Sequence, residues 1–105
     1  MKVIQTVKKD DVVVIDKRGA DYNGGKLYAV AIDADGVLVN ASGTLNVSFS
    51  PYTEHEVWTT GNITLDGGHG SVDITGLCER VKITNDLPGG VAAIELHAHR
   101  WEGGN

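Results

Sequence analysis

Hydrophobic and polar residues alternate at a spacing of two along much of this chain, in runs that are short. The clearest run covers residues 44–50, where Leu45, Val47 and Phe49 alternate with polar residues before Pro51. Successive side chains of a β-strand point to opposite faces, so this run predicts a strand with one buried face. Apolar residues do not recur at the three- and four-residue spacing of a helix over any long stretch. No long helix is therefore expected.

Similar runs recur along the whole sequence, separated by turn residues. Glycine accounts for 14 of the 105 residues, which is about twice its usual share, and it falls between β-branched runs where it suits tight turns. The predicted strands cover residues 1–7, 12–15, 26–33, 37–39, 44–50, 56–60, 63–65, 71–74, 79–84 and 91–101. This spacing predicts an all-β fold, with residues 1–105 forming a single domain, an antiparallel β-sandwich or jelly roll.

The alternation also predicts which side chains face the core. In residues 26–33, Tyr28, Val30 and Ile32 share one face, and Asp35-Gly36 supplies the turn of a tight hairpin. The predicted core consists of Leu45, Val47, Phe49, Val81, Ile83, Ile94 and Leu96. Arg80 and Lys82 are expected on the face opposite Val81 and Ile83.

The last predicted strand carries the strongest chemical pattern in the chain. Glu95, His97, His99 and Trp101 occupy alternate positions on the face opposite Ile94 and Leu96. Two imidazoles and a carboxylate at that spacing can chelate a metal ion, but no second ligand segment pairs with them. We expect an exposed or interfacial polar row, with no metal and no cofactor.

The N-terminal part differs from this alternation, because residues 12–15 are apolar on both faces. Such a strand is either covered on both sides or meets another subunit with its second face. Residues 1–26 carry six basic and four acidic side chains, whereas residues 27–105 carry three basic and ten acidic ones. Residues 1–18 are therefore predicted to bind a partner. The partner-binding residues expected are Lys8, Lys9, Val12, Val14, Lys17 and Arg18.

Composition and charge exclude several classes of function. A net charge of −5 argues against binding nucleic acid, which needs clustered Lys and Arg. No apolar stretch is long enough to cross a membrane, and residues 1–15 lack the features of a signal peptide, so the chain is expected in the cytoplasm at synthesis. Cys78 is the single cysteine, and we expect a small buried residue without a disulfide.

Other short motifs match known sites incompletely. Residues 33–36 begin like a calcium loop, but the glycine comes too early and no glutamate closes the loop. The glycine-rich residues 66–70 predict a flexible loop containing His69, with no nucleophile beside it and no following helix to bind phosphate. Three Asn-x-Ser/Thr triplets, beginning at Asn40, Asn46 and Asn62, match the glycosylation pattern without a secretion signal.

The second half of the chain resembles the small β-sandwich structural proteins of tailed bacteriophages. Residues 44–50 look like their alternating central strand, and Val57-Trp58 look like the short strand that follows it. Residues 71–85 resemble the recurring passage V-x-I-x-G-x-x-x-R-V-x-I-x-N, and residues 90–97 resemble the closing strand. Cys78 stands where Pro or Ala is more usual, and residues 1–43 have no counterpart in this resemblance.

The resemblance implies a virion structural protein without enzymatic activity. The family includes head decoration or cement proteins and modules of tail fibres, and the length of this chain suits a decoration protein. The expected partners are the major capsid protein and further copies of the chain, in a trimer, with no nucleic acid and no membrane. The expected location is the capsid surface, after a stage in the host cytoplasm.

The alternative hypothesis assigns the same fold a different ligand, a glycan or a receptor. Tyr52, Trp58 and Trp101 can stack on sugar rings, as in a glycan- or receptor-binding module of a fibre or lectin. An enzyme ranks third, because no nucleophile, base and orienting group can be assembled from the sequence.

Overall fold

The computed structural model describes residues 3–16, 25–74, 78–87 and 90–101. These residues form nine β-strands and no helix, so the predicted all-β fold is confirmed. No segment among them forms an apolar helix of membrane-spanning length. The strands are β1 Val3–Lys8, β2 Val12–Asp16, β3 Gly25–Ile32, β4 Gly43–Ser50, β5 Thr59–Thr60, β6 Ile63–Leu65, β7 His69–Ile74, β8 Arg80–Thr84 and β9 Ala93–His99.

The strands form two antiparallel sheets that pack face to face. Sheet A has the order β1-β9-β3-β7, and sheet B has the order β2-β8-β4-β5, with β6 also paired to β4. If β5 and β6 are taken as one interrupted strand, every connection between successive strands crosses from one sheet to the other, except the one from β4 to β5, which stays within sheet B. This is the strand order of a jelly roll, which builds a sandwich from two Greek keys. The chain is thus one compact β-sandwich.

The core lies between the two sheets and is filled by alternate residues of their inner faces. Six of the seven predicted core residues are fully buried. They are Leu45, Val47, Val81, Ile83, Ile94 and Leu96. Phe49 is only partly buried and packs against this core, with its ring over the Cα of Gly61. The core prediction therefore holds except at the margin where Phe49 lies.

Strand β3 shows why alternation alone does not identify the inner face. Its buried side chains are Leu27, Ala29 and Ala31, whereas Tyr28 and Val30 are half-buried on the outer face of sheet A. The inner face of β3 thus carries two alanines, while the larger side chains of Tyr28 and Val30 lie outside. The size of the side chains therefore does not indicate which face of β3 is buried.

The predicted turn at Asp35-Gly36 is present, whereas the predicted glycine-rich loop is wrong. Asp33 Oδ1 accepts hydrogen bonds from the amides of Asp35 and Val37, and Gly36 has a φ of 79°. The residues predicted as a flexible glycine-rich loop instead form a tight turn, with Gly67 at φ 66° and Gly68 at φ 89°. His69 belongs to β7 and pairs with Val30 of β3.

The predicted strand 56–60 is reduced to Thr59–Thr60, and it joins β6 in a single register along β4. At the interruption, Gly61 N donates to Val47 O, while Val47 N donates to the side-chain oxygen of Asn62. The Asn62 amide thus takes the place of a backbone carbonyl, which keeps the ladder bonded across the break.

Trp101 contradicts its predicted outward position. Its side chain is fully buried, and its Nε1 donates a 3.0 Å hydrogen bond to Cys78 O. The alternation of β9 ends at Arg100, whose φ of 57° lies in the left-handed region. This backbone conformation breaks the alternation, so the side chain of Trp101 points into the core and not to the face that carries His97 and His99.

Candidate partner-binding surface

The predicted partner-binding segment lies at one edge of the sandwich. Strand β1 is at the edge of sheet A, strand β2 is at the edge of sheet B, and the turn between them crosses from one sheet to the other. Lys8 ends β1 and Lys9 lies in the turn, and both are exposed. The β1–β2 turn and strand β2 therefore face the surroundings.

A buried asparagine holds this turn in place. Asn85 Nδ2 donates a 2.9 Å hydrogen bond to Val7 O, and the side chain is fully buried. The backbone of Asn85 accepts from Asp10 N and donates to Asp11 O. Asp10 has a φ of 65° in this tight turn. Asn85 thus fixes the turn from inside the sandwich, a role that its position in a predicted loop did not reveal.

Strand β2 has one face in the core and one face in solvent. Val13 and Ile15 pack against the core, whereas Val12 is 59% exposed and Val14 is 48% exposed on the outer face of sheet B. Their neighbours on β8 at the same positions are Thr84 and Lys82. Within the described residues, the second face of this doubly apolar strand is uncovered.

The charged and apolar residues of the segment do not form one flat patch. Lys8 follows buried Val7 and points outward from sheet A, while Val12 and Val14 point outward from sheet B. A partner that touches all of them must wrap around the edge of the sandwich. Lys17 and Arg18 lie outside the described residues.

The other end of the outer face of sheet B is covered by the chain itself. Residues 51–58 cross this end and are fastened by Arg80 of β8, which is only 8% exposed. The Arg80 guanidinium donates hydrogen bonds to Tyr52 O at 2.8 Å, to His55 O at 2.6 Å and to Glu56 Oε1 at 3.2 Å. We call residues 51–58 together with Arg80 the clamped loop. Arg80 does face away from Val81 as predicted, but this loop buries it.

Trp58 at the end of the clamped loop lies against two cations. The Arg80 guanidinium carbon is 4.7 Å from the centroid of its ring, and Lys82 Nζ is 4.4 Å from it. Trp58 Nε1 donates a 2.9 Å hydrogen bond to Glu56 Oε2. This bond, followed by the bond from Arg80, lowers the pKa of Glu56 below its ordinary value. The tryptophan is therefore part of an internal network.

The row of Glu95, His97 and His99 lies on the outer face of sheet A, as predicted. His97 Nε2 is 3.8 Å from Glu95 Oε1. His97 also lines a shallow groove of about 340 Å³ with Tyr28, Val30, Leu38 and His69 among its walls. Within the described ranges, no three His, Cys, Asp or Glu side chains come together in a group that could hold a metal ion.

Cys78 is buried, as expected from the sequence. Burial is the main reason why the pKa of its thiol rises to about 11. Its Sγ contacts Arg80 O at 3.4 Å. A thiol with this pKa is almost wholly protonated at neutral pH, so Cys78 is a poor nucleophile in the folded protein.

The sequence matches no known protein family and no curated protein.

Proposed function

We propose that this chain is a non-enzymatic structural protein of a virion, a decoration protein that binds the major capsid protein through strand β2 and the β1–β2 turn. The observation that carries the proposal is the exposure of Val12 and Val14 on an edge strand whose other face is anchored in the core. Apolar side chains exposed together on a rigid strand are typical of surfaces that bind other proteins.

Rigidity supports this role. Buried Asn85 bonds to the backbone on both sides of the β1–β2 turn, so the backbone that carries Lys8, Lys9 and the outer valines is held in place. A preorganised surface loses less conformational entropy on binding than a mobile one. Attachment then combines burial of the valines with charge pairing between the lysines and an acidic surface of the shell.

The glycan-binding alternative has less support. Trp101 is buried in the core, and the ring of Trp58 contacts Arg80 and Lys82. Of the three aromatic residues proposed for stacking, Tyr52 is the one with a largely open side chain, at 46% exposure. Stacking platforms for sugars need an accessible aromatic face.

The test is charge reversal at the turn, with binding to assembled shells measured by co-sedimentation over a range of salt concentrations. We expect Lys8→Glu/Lys9→Glu to weaken attachment, most strongly at low salt where charge pairing is least screened. The matched control is Lys26→Glu/Arg100→Glu, which changes the net charge equally at the opposite end of sheet A. Equal coating by both double variants and the wild type would contradict attachment through the β1–β2 turn.

A further inference from the structure

Two turns of the described chain carry an aspartate directly followed by a glycine. These pairs are Asp35-Gly36 and Asp66-Gly67, and both aspartates are exposed. In such a pair the backbone nitrogen of the glycine can attack the side-chain carboxyl of the aspartate, because glycine has no side chain that hinders the approach. Both positions are therefore candidates for spontaneous modification of the backbone.

The first turn holds the nitrogen that would have to react. Gly36 N donates a 3.1 Å hydrogen bond to Asp33 O. The amide of Asp35 donates a 2.9 Å hydrogen bond to Asp33 Oδ1, and the amide of Val37 donates to the same oxygen at 3.0 Å. These bonds to Asp33 fix the backbone on both sides of the Asp35-Gly36 pair. The glycine nitrogen can reach the Asp35 carboxyl only after its own hydrogen bond has broken.

The second turn leaves the corresponding nitrogen free. Asp66 N donates a 3.0 Å hydrogen bond to His69 O, and these two residues pair across the turn. Gly67 N makes no hydrogen bond to any residue that the structure describes. A side-chain atom added at Gly67 would meet nothing within 4 Å, so the space beside this residue is open. The Asp66 carboxyl can therefore approach the nitrogen without displacing a hydrogen-bond partner.

We propose that Asp66 is a site of spontaneous isomerisation to isoaspartate in the folded protein, and that Asp35 is protected from the same reaction. Gly67 N attacks Cγ of the protonated Asp66 carboxyl, and the nitrogen loses its proton while one carboxyl oxygen leaves as water. The product is a five-membered succinimide ring. Water then adds to either carbonyl carbon of the ring, and ring opening restores aspartate or leaves isoaspartate, in which the main chain runs through Cγ.

The turn that contains Asp66 has no room for the longer backbone of isoaspartate. Gly68 N donates a 2.9 Å hydrogen bond to Ala41 O, and Gly68 O accepts a 2.8 Å hydrogen bond from Ala31 N. A side chain at Gly68 would collide with Val39 O, which shows how closely the turn packs there. Isoaspartate adds one carbon atom to the main chain at Asp66, so the hydrogen-bonding groups of Gly68 must shift. The modification is therefore expected to loosen the connection between β6 and β7 and to lower the stability.

Incubation of the full chain at neutral and mildly acidic pH, followed by mass spectrometry of proteolytic peptides, measures the reaction. Electron-transfer fragmentation distinguishes isoaspartate from aspartate and gives the modified fraction at each site. In the folded protein we expect isoaspartate to accumulate about tenfold faster at Asp66 than at Asp35, since this factor corresponds to one or two hydrogen bonds that must break first.

The same chain in denaturant is the reference, because the two sites should react there at similar rates. Equal rates at the two sites of the folded protein, or a faster reaction at Asp35, would overturn the proposal. It is also overturned if the denatured chain accumulates isoaspartate at Asp66 and the folded chain does not.

A pair of amide variants tests the same contrast through a change in mass. Asp66→Asn and Asp35→Asn allow the same cyclisation, in which ammonia leaves in place of water, and hydrolysis then gives an acid that is measurably heavier than the amide. When both proteins are folded, as circular dichroism verifies, Asp66→Asn should gain this mass about tenfold faster than Asp35→Asn. The reverse order of rates would contradict the assignment to Asp66.

Thermal unfolding of fresh and incubated protein measures the effect on stability. The incubated wild type should melt at a lower temperature than the fresh protein, in proportion to its content of isoaspartate. Asp66→Glu keeps the charge but lengthens the side chain, which disfavours ring closure, so incubation should leave its melting temperature nearly unchanged. Asp35→Glu is the matched control and should lose stability on incubation as the wild type does. An equal loss in Asp66→Glu would place the damage elsewhere in the chain and overturn the consequence drawn for this turn.

Discussion

The two ends of the outer face of sheet B differ in whether the chain covers them. At one end the clamped loop covers β8, and Arg80 is 8% exposed beneath it. At the other end Val12 and Val14 of β2 are about half exposed, although valine is the more apolar residue. An arginine is thus buried and two valines are left in solvent on the same face.

The comparison shows that coverage follows hydrogen bonding as well as hydrophobicity. Arg80 is covered because Tyr52, His55 and Glu56 provide acceptors for its guanidinium. No such loop lies over β2 within the described residues. Full burial of a valine is worth about 1.5–3 kcal/mol, and that free energy is available at β2 to a binding partner.

The largest expected effect comes from opening the covered end. Arg80→Ala removes the donors to two backbone carbonyls and one carboxylate, and we expect the free energy of unfolding to fall by roughly 2–4 kcal/mol. Urea denaturation followed by circular dichroism measures the change. Arg80→Lys keeps the charge but not the fork of donors, so it should recover only part of the loss. A change within about 0.5 kcal/mol for Arg80→Ala, as for ordinary surface substitutions, would show that the loop is held by other contacts.

A smaller effect is expected from protonating the carboxylate in the clamped loop. The pKa of Glu56 is lowered in the folded protein by Trp58 and then by Arg80, so its contribution to stability is complete above its ordinary pKa and is lost as the pH falls through the folded value. The melting temperature of the wild type should therefore fall more on acidification than that of Glu56→Gln.

Glu54→Gln is the matched control for this titration, because Glu54 is an exposed glutamate of the same loop. It should follow the wild type across the acidic range. Parallel melting curves for all three proteins would mean that the loop is indifferent to the Glu56 charge.

The smallest expected effect is at the uncovered end. Val12→Thr/Val14→Thr keeps β-branched side chains on an exposed face, so the stability of the monomer should change by less than about 0.5 kcal/mol per site. Val13→Thr on the inner face of the same strand should cost more, about 1–3 kcal/mol, because it buries a hydroxyl. Thermal unfolding at low protein concentration compares the two. Equal losses would show that the outer face of β2 is also buried.

Much of the fold could be predicted because most strands alternate cleanly. In β4 and β8, each buried residue has a polar residue on either side in the sequence, so the alternation identifies the buried face. These buried residues are Leu45, Val47, Val81 and Ile83. The strand order could not be predicted, because it depends on pairings between strands far apart in the sequence. The inner face of β3 was also hidden, since alanines fill it and larger residues lie outside.

The candidate site was predictable only in part. The apolar run 12–15 indicated an unusual strand, and its outer valines are indeed exposed. Asn85 and Arg80 were missed as anchors, because a buried hydrogen bond to a distant carbonyl leaves no periodic signal in the sequence. Trp101 was misplaced for a local reason, since a single residue with positive φ at Arg100 reverses the alternation.

The pairing of β1 with β9 has a consequence for biosynthesis. Among the described residues, β1 pairs with β9 alone, and β9 is also the neighbour of β3 in the same sheet. On the ribosome, sheet A cannot close until this last strand has emerged from the exit tunnel. The nascent chain must therefore carry residues 3–8 unpaired until residues 93–99 have been synthesised, and during this interval chaperones that bind extended apolar segments can act on it.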